Sequence, residues 1–454
     1  MKKNYFVVIL FFSFITNLNA QEGKLLFKDG DRVCFIGNSI THSGEFHPDI
    51  FLYYATRFPK EKVSFFNCGV SGDIAGEILS RMDSDVFVHK PTVAAFMVGM
   101  NDMIRGYFGK SKTGETTPNA LETYKKSATQ IAENLTKYGC KLIIQLPSIY
   151  DQTVKNSIGN MFGLNDALGK CAEFLSELAP KYNATVVDYW TIMKNINEQE
   201  QKKDTSFTIV SEDRVHPDSP GHLVMAYQFL KTTGAPKYVS KVVIDVKAKK
   251  VIESLNCETK LELSQKNIIQ FECLENALPY PVNHDALPAL NFVPFTEDLN
   301  QEILQVNNLD TSQYNLFIDE INVGVYTSSD LAKGINLSMD TLTSQYKQAL
   351  EVMKYCNEYR KVYNDLRSLA FMEYRTLKEY KGKDDSIAKR VFLNEELEKI
   401  KGEGYYEYVK NKCDEYFVIK PNQQQLIAQL NQIRDNIYTA NIPRKHIFKI
   451  VPKE

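Results

Sequence analysis

The chain has 454 residues, enough for two or three domains rather than one core. Aromatic residues make up 11% and charged residues 24%, an ordinary globular balance that excludes a disordered or fibrous chain. The formal net charge of −2 gives no electrostatic basis for binding nucleic acid or an anionic membrane surface.

Residues 1–20 read as a signal peptide. Lys2 and Lys3 form a basic start, and the apolar run Tyr5 to Ile15 is too short to span a bilayer. Asn17-Leu18-Asn19-Ala20 ends in a small residue suited to cleavage before Gln21. No later segment is apolar enough for a membrane span. The mature chain is expected to be exported to the periplasm or the exterior, and nothing in the sequence sets its oligomeric state.

From residue 24 to residue 237, strands alternate with helical patterns. Arg32–Gly37, Val63–Gly69, Thr92–Gly99, Lys141–Pro147 and Thr185–Trp190 are continuous apolar runs, as parallel strands covered on both faces require. Asn119–Tyr138 and Leu164–Tyr182 have helical periodicity between them. This alternation predicts a three-layer α/β/α domain with a parallel sheet. Residues 238–327 hold short strands without a long helix, which predicts a small antiparallel β domain. Residues 328–454 are helical and charged, with candidate helices over 341–381, 385–400, 404–417 and 423–440.

Eight cysteines permit disulfides in an oxidising compartment, and Cys257 with Cys273 on neighbouring predicted strands is the candidate pair. Cys34 and Cys68 read as small buried hydrophobes. The histidines do not cluster with cysteine, so no metal site is expected.

Four segments carry chemistry. Gly37-Asn38-Ser39-Ile40-Thr41 follows the first strand at once and presents a serine at its carboxyl end, where open α/β sheets place their chemistry. Cys68-Gly69-Val70-Ser71-Gly72-Asp73 is a glycine-rich turn after the second strand, able to bring a backbone N–H close to a reacting oxygen. Met100-Asn101-Asp102 ends the third strand and offers a side-chain amide, with Asp102 suited to capping. Asp213-Arg214-Val215-His216-Pro217 puts a carboxylate three residues before a histidine, close enough to hold one ring nitrogen. Ser219 reads as the N-cap of the following helix and Pro220 as its first residue. Each segment alone also fits a bland turn or cap.

Together the four resemble, in order, the blocks of the SGNH (GDSL-like) hydrolase family, over roughly residues 30–231. The resemblance implies a flavodoxin-like fold, with Ser39 as nucleophile, His216 as general base and Asp213 as its orienting carboxylate. It places Gly72, Asn101 and the Ser39 backbone N–H in an oxyanion hole and requires no cofactor. Asn38 stands where the family's first block usually has aspartate, which is expected to tune the local field. Asn38, His42, Tyr107 and Tyr150 are candidate substrate contacts, the tyrosines as platforms for a sugar face. The implied activity is hydrolysis of a small acyl ester, with an O-acetyl group on carbohydrate as the leading substrate. Acyl transfer to a glycan hydroxyl, or glycan and partner binding by the C-terminal half, are the alternatives.

Overall fold

A computed structural model describes residues 26–109, 119–263 and 268–453. The expected signal peptide and residues 110–118 of the loop after the third strand lie outside the described residues.

The first sheet contains β1 (Arg32–Gly37), β2 (Ser64–Gly69), β3 (Val93–Met97), β4 (Lys141–Gln145) and β5 (Thr185–Val187). Its order is β2-β1-β3-β4-β5 and every neighbouring pair is parallel. This is the flavodoxin-like order. Side chains alternate across a strand, so β1 feeds two cores: Val33 and Phe35 face one layer, Cys34 and Ile36 the other. Both faces are buried, which is why the strands read as unbroken apolar runs. The helices are α1 (Ser39–Ser43), α2 (Phe46–Arg57), α3 (Ala75–Arg81), α4 (Met100–Phe108), α5 (Ala120–Tyr138), α6 (Leu164–Leu178), α7 (Tyr189–Glu200) and α8 (Ser219–Thr232). Residues of α2 and α8 fill the first core, and residues of α3, α5 and α6 the second.

Beyond residue 237 the chain forms two further sheets. The strands are β6 (Tyr238–Asp245), β7 (Lys250–Leu255), β8 (Cys257–Leu263), β9 (Ile269–Glu275), β10 (Gln301–Asn307), β11 (Gln313–Ile318), β12 (Ile321–Thr327) and β13 (Ile335–Asn336). The four-stranded sheet has the order β13-β10-β6-β7, with β10 parallel to β6 rather than antiparallel as expected. The segment between those two strands is long enough to return the chain to the same end. It includes α9 (Phe295–Leu299). The second sheet is antiparallel, in the order β12-β11-β14-β9-β8, and takes its central strand β14 (Lys445–Pro452) from the far end of the chain. The C-terminal region is therefore helical only up to residue 440. Its helices are α10 (Ser328–Lys333), α11 (Ser344–Phe371), α12 (Ser386–Lys399), α13 (Tyr406–Ile419) and α14 (Gln423–Ala440).

All eight cysteines are free. Cys273 pairs in register with Thr259, while Cys257 lies opposite Glu275. The two thiols are thus diagonal neighbours and not a bridged pair. Helix α11 is no loose appendage. Ala349, Val352 and Cys356 enter the same core as α2 and α8, beside Ile433 and Ile437 of α14.

Candidate active site

β1 ends at Gly37 and the chain turns directly into α1. Asn38 caps that helix, its Oδ1 accepting from the Ile40 N–H at 3.3 Å, and Ser39 is the first helical residue. α1 lies hard against the end of β2. A Cβ at Gly69 would sit 2.3 Å from the His42 nitrogen, so only glycine allows the approach. Ser39, Gly72 and Asn101 follow β1, β2 and β3, the strands around the point where the strand order reverses. Such sheets bind ligands in the crevice there.

Ser39 Oγ lies 2.7 Å from His216 Nε2. On the other side of the ring, Nδ1 lies 2.5 Å from Asp213 Oδ2. Asp213 Oδ1 accepts from the N–H groups of Val215 and His216, both at 2.9 Å, and from Ser211 Oγ at 2.8 Å. Partial burial pushes the Asp213 carboxyl up, but the hydrogen bonds from the His216 ring and backbone outweigh it. The net effect holds the carboxyl well below its ordinary range. A fixed anion at this position favours the tautomer with its proton on Nδ1, which leaves Nε2 to accept from the serine. The histidine and aspartate side chains are 42% and 49% exposed, so the dyad opens to solvent.

Arg214 makes that loop possible. Its φ is +69°, a left-handed conformation costing about 1–3 kcal/mol for a residue with a side chain. Its N–H donates to Ser211 O at 2.9 Å, and the Ser211 N–H donates to His216 O at 2.6 Å, closing the loop on itself. The buried guanidinium donates to the carbonyls of Asp151 at 2.9 Å and Val154 at 3.0 Å. The turn therefore aims Asp213 back at His216.

Gly72 has φ +83°, and its N–H donates to no other described residue. Asn101 Nδ2 donates to Asp73 O at 3.0 Å, which spends one amide hydrogen and leaves the other. Arginines fix the surrounding loop. Arg105 donates to Gly72 O and to Glu77 at 3.0 Å. Arg81 donates to Asp73 at 2.7 Å, to Gly37 O at 3.2 Å and to Asp85. Arg367 of α11 donates to Gly69 O at 2.7 Å and to Asp85 at 2.7 and 3.0 Å. Burial pushes the Asp85 carboxyl up, yet the Arg367 and Arg81 charges hold it below its ordinary value. Arg375, in the wide π-type turn that follows α11, covers the α-carbon of Gly72 and reaches Glu77 at 3.4 Å.

Three proposed substrate contacts are placed elsewhere. Asn38 is 2% exposed and spends its side chain on the cap. His42 is buried beneath Phe371, whose ring meets it edge-on at 6.2 Å, and its Nδ1 accepts from the Ser71 N–H at 3.3 Å. Burial, then the Arg367 charge, lowers its pKa to about 3, so it is a neutral packing group. Tyr150 is 1% exposed, with its hydroxyl accepting from the Met161 N–H at 2.8 Å, and offers no face to a sugar. Tyr107 stays exposed on α4. The cap of α8 is Asp218, which accepts from the Gly221 N–H at 3.0 Å, and Ser219 becomes the first helical residue. Sequence reasoning missed Arg81, Arg105, Arg214, Arg367 and Arg375. Only Arg214 carried a local signal, its place inside the aspartate-to-histidine turn.

The description "GDSL-like Lipase/Acylhydrolase" fits residues 33–229. The solved structure of a gut microbial diltiazem-metabolizing enzyme is 30% identical, spans 94% of this chain and 99% of its own, and superposes with a TM-score of 0.84. The chain belongs to the GDSL-like lipase/acylhydrolase family. It is a carboxylic ester hydrolase. An acetylxylan esterase of Geobacillus stearothermophilus is 26% identical over 224 residues, 45% of this chain and 94% of that protein. The GDSL-like match ends at residue 229, so α11 and its arginines lie outside it.

Proposed function

We propose that the chain is an exported esterase that removes O-acetyl groups from carbohydrate through an acetyl-enzyme on Ser39. The observation that carries this reading is the 2.7 Å contact of Ser39 Oγ with His216 Nε2, backed by Asp213 at 2.5 Å. Ser39 Oγ attacks the ester carbonyl carbon while its proton passes to His216 Nε2. The tetrahedral oxyanion is stabilised by the Gly72 and Ser39 N–H groups and the free Asn101 amide hydrogen. Collapse breaks the bond to the sugar oxygen, which leaves with the proton from His216. Water repeats the cycle on the acetyl-enzyme and releases acetate. Similarity to the acetylxylan esterase supports acetyl as the acyl group and carbohydrate as the alcohol. The open dyad supports a polymer substrate. Export rests on the basic, apolar and small-residue pattern of residues 1–20.

A second reading is favoured by a relative that spans 94% of this chain, the diltiazem-metabolizing enzyme. Diltiazem carries an acetate ester, so the same dyad would cleave it. An acetate-release assay across acetylated xylan, other acetylated polysaccharides and diltiazem tests both readings. Faster turnover of a polysaccharide supports the first. Release from diltiazem alone replaces it with the second. Transfer of the acetyl group to added glycan in place of release would make the chain an acyltransferase.

A further inference from the structure

A cleft of about 460 Å³ lies between α2, the start of α8, the turn His284–Asn291 and α11. That volume is within the roughly 300–1,000 Å³ of sites that hold a small ligand. α11 lines it with Asn357, Arg360, Lys361 and Asn364. Their spacing puts all four on one face of the helix. A helix laid on a domain ordinarily turns an apolar face inward, and α11 does so with Ala349, Val352 and Cys356. A polar flank beside such a face is usual for a surface helix, and here it walls a cleft.

The opposite wall connects to the catalytic segments. Glu45 follows Ser39 by six residues and Ser219 follows His216 by three. The two are joined, Ser219 Oγ donating to Glu45 at 3.0 Å, and Arg360 donates to the other Glu45 oxygen at 2.8 Å. Asp49 accepts from Tyr280 Oη at 3.0 Å. The side chains of Asn283, Asp285, Asn357, Lys361 and Asn364 form no hydrogen bond to another described residue, although all line the cleft.

The mixture of groups selects the ligand class. Glu45 and Arg360 are paired with each other, which leaves Asp285 against Lys361 and no net charge to select an anion or a cation. A neutral polyhydroxyl ligand suits both side chains, because each hydroxyl donates and accepts. We propose that the cleft binds a neutral sugar unit of the substrate, beside the ester held at Ser39. The proposal rests on the carbohydrate acetylesterase reading. It assigns substrate recognition to α11, outside the residues 33–229 that match the GDSL-like family.

The test is the double variant Asn357→Ala, Asn364→Ala, which keeps good helix formers on α11 and spares the catalytic residues. Steady-state kinetics are measured on acetylated xylo-oligosaccharides and on p-nitrophenyl acetate. Loss of two hydrogen bonds should raise KM for the oligosaccharide about tenfold, with p-nitrophenyl acetate kinetics unchanged. An unchanged KM for an oligosaccharide that the wild type cleaves would make the cleft a hydrated crevice only. If the wild type cleaves p-nitrophenyl acetate but no acetylated sugar, the carbohydrate reading fails by itself. Calorimetry with deacetylated xylo-, manno- and cello-oligosaccharides then decides the cleft separately. Saturable binding that the double variant loses upholds it, and absence of binding across all three overturns it.

Discussion

At the residue scale the chemistry depends on a few side chains held at short range. In the proposed mechanism Asn101 contributes one amide hydrogen where charge develops on the substrate oxygen. Asn101→Ala should lower kcat by about 10²–10³-fold with a smaller change in KM, measured on p-nitrophenyl acetate. A change in KM alone would make Asn101 a binding or capping residue. His47 is a second case. It is buried, its Nε2 lies 3.0 Å from Thr41 O, and burial outweighs that bond to lower its pKa to about 3. In the unfolded chain the same imidazole takes a proton near its ordinary value of about 6.5. The unfolded state binds more protons as pH falls from about 6.5 toward 3, so His47 withdraws stability across that window. Asp49, whose pKa burial raises to about 7, acts in the opposite sense between about 4 and 7. The contribution of His47 is therefore read as a difference. The urea midpoint of His47→Gln, relative to wild type, should rise on acidification from pH 7 to pH 4. A constant difference would remove the histidine from the acid response.

At the element scale, strand ends supply the site and a distant helix braces it. Arg367 and Asp85 are each 6% exposed at the side chain, and Asp85 is also paired with Arg81. Breaking a buried pair costs about 3–5 kcal/mol. Arg367→Met should fall near the lower end, because Arg81 still compensates Asp85. Urea unfolding checks this, and a loss below ~1 kcal/mol would show that α11 does not hold the loop. The segments that meet at the candidate site were legible because each is local. A buried apolar run ending in Gly37-Asn38-Ser39, or an aspartate three residues before His216, states its own geometry. The brace was not legible, since Arg367 meets Gly69 across nearly three hundred residues of sequence. Tyr150 misled for a related reason. Its place after β4 suggested an exposed aromatic, but the Met161 N–H draws the hydroxyl inward.

At the scale of the whole molecule, the chain closes on itself. β14 pairs with β9 on one side and β11 on the other, sending His446, Phe448 and Ile450 inward. Its alternation spans only eight residues beside Pro443, too short to stand out against the helical stretch before it. A chain ending at residue 443 loses the central strand of that sheet and should unfold at markedly lower urea, with loss of a single cooperative transition. An unchanged midpoint would mean that β14 adds nothing to the fold. Helices α11 and α14 share the core of the α/β layer, so esterase and C-terminal regions are expected to unfold together.

The central claim is that acetyl passes through Ser39. Mass spectrometry of the protein quenched during turnover of an acetylated oligosaccharide tests it most directly. The expected result is one acetyl group on the peptide carrying Ser39, absent in Ser39→Ala, which should release no acetate. Acetate release by Ser39→Ala at the wild-type rate, with no acetylated peptide in either protein, would contradict it.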